Sequence, residues 1–105
     1  MKILLDECVP WPMHRLLGSN ACSSVQGQGW SGIRNGDLLQ RAEAGFDLFI
    51  TSDQNIRYQQ NLAGRRIAIL ELSTNDLRRI QAASALIEEA TGRIQPSELK
   101  HLTIP

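Results

Sequence analysis

The sequence has no long apolar run. Nothing in its 105 residues approaches the roughly 20 consecutive apolar positions that a bilayer-spanning helix requires. Net charge is missing too. Eleven Lys and Arg balance 11 Asp and Glu, so the globally basic footprint of many nucleic-acid binders is absent. Lysine is scarce, since nine of those 11 basic residues are Arg. The planar Arg fork suits bidentate contact with phosphate or carboxylate. The two cysteines, Cys8 and Cys22, have no C-x-x-C spacing, which leaves them as free thiols rather than a disulfide frame or a zinc site. The opening MKILLDE carries no basic-then-apolar leader, so the expected location is cytoplasmic. No P-loop is present, and GQGWSG at 27–32 has the G-x-G-x-x-G spacing but does not lead directly into a helix, as a dinucleotide-binding fingerprint requires. A HAD-type phosphatase needs D-x-D, but the third position is Cys8.

What is there fits one globular domain over residues 1–105. With 42% hydrophobic residues and five aromatics, a chain of this length buries roughly 65% of its unfolded surface, enough for a core without staples.

Short apolar segments alternate with helical patterns. Lys2-Ile3-Leu4-Leu5 reads as a strand buried on both faces. Pro10 and Pro12 bar strand pairing beyond it. Met13, Leu16 and Leu17 then give helical spacing up to Gly18. Ala21 to Val25 is a weak second strand. Asn35 is placed to cap a helix from Gly36 to Ala44, with Leu38, Leu39 and Ala42 inward. Phe46 to Thr51 is the third strand, followed by a short polar helix from Gln54 to about Leu62. Arg66 to Leu72 is the fourth. Ser73-Thr74-Asn75 caps a long helix to about Ala90, stopped by Gly92, and Leu99 to Ile104 adds an edge strand. This alternation predicts an α/β fold: a three-layer sandwich around a mostly parallel sheet of four to five strands.

Two of those strands end in acid: strand one at Asp6 and Glu7, strand three at Thr51-Ser52-Asp53. Right-handed crossovers favour the strand order 2-1-3-4, in which the chain reverses direction around the sheet between strands one and three. Ligands of open parallel sheets bind beyond the carboxyl ends of the strands at such a point. Neighbouring strands lie about 4.8 Å apart, so Asp6 and Asp53 should share a crevice. Two carboxylates that close repel unless a cation lies between them. An all-oxygen site suits Mg²⁺ or Mn²⁺. Glu7 and Asp37 are the nearest further acids. Plainer readings stand beside these: Asp53 as a helix N-cap, Asp37 as a first-turn acid favoured by the helix dipole, Glu7 as a solvated loop acid.

Three blocks in order carry a family resemblance: LLDECVP at 4–10, GWSGIRNGDLL at 29–39 and LFITSDQNIRYQQNL at 48–62. Together they resemble the short PIN-like domains, relatives of the VapC-type ribonuclease toxins of bacterial toxin–antitoxin pairs. The likeness covers nearly the whole chain. It implies an acid cluster of Asp6, Asp37 and Asp53, with Glu7, that binds Mg²⁺ or Mn²⁺ and hydrolyses RNA. It further implies an antitoxin partner and a homodimer, for which Ala82, Ala83, Ala85 and Ala90 offer a close-packing face. Ser52 and Asn55 flank the third acid, while Arg34, Arg57 and Arg65 are candidate phosphate contacts. Trp30 and Tyr58 are candidates for base stacking, although a Trp in such a loop more often anchors it on the core. His14 and His101 are too isolated to pair on a metal. The pattern is broken at Cys8, where relatives tend to carry Asn, so a non-catalytic module binding protein or RNA is the alternative to a nuclease.

Overall fold

A computed structural model of the protein describes residues 1–56 and 65–105. Most of the expected helix from Gln54 to Leu62, with Arg57 and Tyr58, lies outside the described residues. Five strands form one parallel sheet in the order β2-β1-β3-β4-β5: β1 Lys2–Leu5, β2 Ala21–Ser24, β3 Leu48–Thr51, β4 Ala68–Leu72 and β5 Leu99–Leu102. The expected order is therefore observed, with the tail strand added at the far edge. Every residue of β3 and β4 is buried, as are Ile3, Leu4 and Leu5 of β1. The central strands are thus the continuous apolar runs, because a parallel sheet is covered on both sides. The outer strands ACSS and LKHL are half-exposed.

Alternation along the strands builds a core on each face. Ile3, Leu5, Leu48, Ile50, Leu70 and Leu72 meet Met13, Ile80 and Ile87 on one side. Leu4, Phe49 and Ile69 meet Leu38, Leu39 and Ala42 of helix α1 (Asn35–Glu43) on the other. The result is three layers. No helix among the described residues is long and apolar enough to cross a membrane.

Five local expectations are corrected. The segment after Pro10 is a 3-10 helix, Trp11–Leu17, whose Met13 N–H donates to Pro10 O at 3.1 Å. That i→i−3 bond is the tighter pattern used by short helices. Helix α1 starts one residue early, with Arg34 rather than Asn35 in the N-cap position.

The long helix is two: α2, Leu77–Ala82, and α3, Ser84–Arg93, meeting at Ala83. No Gly or Pro between 77 and 90 marks this break in the sequence. Asp76, not the preceding triplet, caps α2, its side chain accepting from Arg78 and Arg79 N–H at 2.9 and 3.4 Å. Ser73 is used elsewhere, its hydroxyl accepting from Ile104 N–H at 2.8 Å. Helix α3 runs through Gly92 and ends only where Ile94 turns extended. Of the four alanines proposed for packing between copies, Ala83 and Ala90 are buried in the core of this chain, whereas Ala82 and Ala85 are exposed.

Candidate active site

The site begins with backbone register. Leu5 pairs with Ile50, and Asp6 N–H continues the ladder to Ile50 O at 2.9 Å. Asp6 therefore lies beside Thr51, at the switch point where β2 leaves one side of β1 and β3 joins the other.

Thr51 is fully buried, and its hydroxyl joins the two strand ends. It donates to Asp6 Oδ2 at 2.7 Å and accepts from Asp53 N–H at 3.0 Å. A hydroxyl has one donor and two acceptor positions, so one Thr can hold both groups at once. Asp6 Oδ1 accepts from Glu7 N–H at 2.8 Å, and Asp53 Oδ1 from Asn55 N–H at 2.9 Å. Both carboxylates are thereby oriented by groups within four residues of each strand end.

Cys8 ties the two loops together. Its thiol donates to Asp6 Oδ2 at 3.4 Å, lies 3.5 Å from Thr51 Oγ1, and accepts from Ser52 N–H at 3.4 Å. Ser52 Oγ donates to Cys8 O at 3.4 Å. The thiol thus occupies part of the same Asp6 oxygen that Thr51 uses. The other thiol is remote from the acids, and burial pushes Cys22 up, with the N-terminal ammonium pulling weakly the other way.

The remaining candidates are distributed around this centre. Glu7 turns to the glycine loop, where its Oε1 accepts from Gly32 N–H at 3.1 Å. That bond draws the loop ending in Arg34 toward the tip of β1. Arg34 is exposed at the N-cap of α1, and Asp37 is exposed in the first turn. Asp37 does not join a three-residue cluster with Asp6 and Asp53: among the described residues, no three His, Cys, Asp or Glu side chains are grouped to hold a metal ion. Arg65 is half-buried against α1, pairing with Glu43 at 3.6 Å and donating to Gly36 O at 3.5 Å. Trp30 packs edge-on to Phe46, ring centroids 6.3 Å apart, within the core on the α1 face. It anchors its loop. His14 stacks on Trp11 and donates to its carbonyl at 2.7 Å.

One acid was missed from sequence. Glu71 is fully buried in β4, in register with Thr51 on one side and His101 on the other. Its Oε1 accepts from His101 Nδ1 at 2.6 Å. Asp6, Thr51, Glu71 and His101 therefore form a polar row across four adjacent strands, on the face that α1 covers. The available signal was a carboxylate inside the otherwise apolar AILEL, since an acid is almost never fully buried without a partner.

No family model matches the chain, and neither the curated proteins nor the solved structures contain a significant match.

Proposed function

We propose that the protein is a metal-dependent ribonuclease, the toxin half of a toxin–antitoxin pair, acting on RNA phosphodiesters. The observation that carries this reading is the Thr51 bridge, which fixes the acids at two adjacent strand ends to one buried hydroxyl. The fold class and the three sequence blocks support it. The donor chemistry fits Mg²⁺ or Mn²⁺, because the carboxylates of Asp6 and Asp53 are hard oxygen ligands. Asp6 and Asp53 would hold the ion, and Asp37, exposed in the first turn of α1, is not grouped with them. When bound, it supplies Lewis-acid polarisation of the scissile phosphate.

The chain's own residues set the geometry. Thr51 fixes the rotamer of Asp6, and the Asn55 N–H fixes that of Asp53. Ser52 and Cys8 hold the two loops at one spacing. Glu7 keeps the Arg34 loop at the rim, where the guanidinium contacts the RNA backbone and gives no sequence preference by itself.

The test is a calorimetric Mn²⁺ titration of wild type beside Asp6→Asn and Asp53→Asn, followed by an RNA-cleavage assay. Saturable binding by wild type, lost in both variants, with cleavage that needs the metal, is the expected result. A folded wild type that takes up no Mn²⁺ would sink the reading. Growth arrest on expression, relieved by Asp6→Asn and by a co-expressed antitoxin, tests the cellular role.

A second reading is favoured by Cys8. Its thiol shares Asp6 Oδ2 with Thr51, an arrangement that also stabilises the strand ends in a non-catalytic module binding protein or RNA. In that case Asp53→Asn leaves partner binding intact.

A further inference from the structure

The amino ends of the strands carry a cavity that the acid site does not use. It is a 460 Å³ space between the chain entering β3, the start of β4 and the turn from α3 into β5. Asp47 borders it just before β3, whereas Thr51 ends that strand at the acid site. Roughly 13 Å of strand separates the two.

Phe46, Ile67, Ile94 and Pro96 give the cavity apolar walls. Phe46 and Ile67 belong to the core on the α1 face, and Ile94 packs against the core on the other. Both layers therefore fix its shape. Its volume falls in the roughly 300–1,000 Å³ range of small-molecule sites, which are mostly apolar with a few polar groups that set orientation.

Three charged residues line the same space: Glu43, Asp47 and Arg66. Glu43 is fully engaged, its Oε1 accepting from Arg66 N–H and its Oε2 pairing with Arg65 at 3.6 Å. Asp47 Oδ2 accepts from Lys2 N–H at 2.8 Å, but no basic side chain pairs with Asp47 among the described residues. Arg66 uses its main chain only, N–H to Glu43 and C=O to Ser97, and its guanidinium pairs with no carboxylate among them. Both side chains are exposed. One apolar cavity thus carries two opposite charges that do not pair with each other.

We propose that this cavity binds a small zwitterion with an apolar body, the chemistry of a free apolar α-amino acid. The ammonium lies against Asp47, the carboxylate on the planar fork of Arg66, and the apolar body on Phe46 and Ile67. A simple anion would meet Arg66 but stand beside the Asp47 carboxylate, which repels it. A simple cation meets the converse conflict. Only a ligand with both charges answers both residues.

Amide NMR shifts of the full chain, titrated with L-phenylalanine and with L-leucine, test this. Saturable shifts confined to the surroundings of Phe46, Asp47, Ile67 and Ile94 are expected. Hydrocinnamate lacks the ammonium and phenylalaninamide the carboxylate, so each should bind wild type about tenfold more weakly than phenylalanine. Two variants separate the contacts. Arg66→Gln keeps the main-chain N–H that Glu43 uses, and should bind phenylalanine and phenylalaninamide alike. Asp47→Asn keeps an oxygen for Lys2 N–H, and should bind phenylalanine and hydrocinnamate alike. Circular dichroism identifies any variant that is unfolded, and the comparison of ligands on wild type stands without the variants. No saturable shift with either amino acid overturns the proposal. So does either analogue binding wild type as tightly as phenylalanine, or shifts centred on Asp6 and Asp53 instead.

Discussion

Thr51 is the residue on which the strand ends converge, and its role is separable from its shape. Valine has nearly the same outline but no hydroxyl. Thr51→Val would leave Asp6 Oδ2 with only the Cys8 thiol and would strip Asp53 N–H of its acceptor. Leaving a buried polar group unsatisfied costs about 1–3 kcal/mol. Urea denaturation should show a loss of that size, accompanied by weaker Mn²⁺ binding in calorimetry. The two thiols offer a second contrast at this scale. Cys8 is exposed and Cys22 is half-buried, with burial holding its thiol above the usual range. A raised thiol pKa means less of the reactive thiolate at neutral pH. Iodoacetamide at pH 7 should therefore label Cys8 first, and labelling of Cys22 should catch up only as the pH rises. Peptide mapping reads both sites, and equal rates would contradict the burial assigned to Cys22.

Elements are fixed by their ends. Helix α2 is only six residues, and it starts at the Asp76 cap, which satisfies two otherwise orphaned N–H groups. Asp76→Ala should cost about 0.5–2 kcal/mol, the usual worth of an N-cap, in a urea or thermal melt. A shift much smaller than that would mean α2 is held mainly by Ile80 in the core. At the chain's other end, Arg79 of the same helix donates to the carbonyls of Ile104 and Pro105 at 2.8 and 3.0 Å. The last residues are thereby tied to α2. Strand β4 shows the complementary case, an element whose interior contains a charge. Glu71 belongs there because β5 brings His101 beside it; hydrophobic patterning alone would place a fifth apolar residue at that position.

Across the whole molecule, burial grades outward from β1, β3 and β4 to the half-exposed edges. Amides of the three central strands should exchange with solvent only on global unfolding, while those of β2 open sooner. Hydrogen exchange measured by NMR gives both rates, and equal protection at centre and edge would contradict the gradient.

The sequence by itself determined this layering and strand order. Continuous apolar runs have no polar face to offer water, so KILL, LFIT and AILEL belong in a covered parallel sheet. Right-handed connections then leave few orders. It also determined that Asp6 and Asp53 end adjacent strands, because register is a local consequence of pairing.

What only the tertiary structure decided depends on groups far apart in the chain. The Thr51 hydroxyl serves Asp6 from 45 positions away, Glu71 is made tolerable by His101 30 positions on, and Glu7 is spent on the Gly32 loop rather than beside Asp6. The break at Ala83 is of the same kind, with no breaker residue to announce it. Hydrophobic period is written along the chain and can be read there. A hydrogen-bond partner is chosen by geometry across the sheet, and no spacing encodes it.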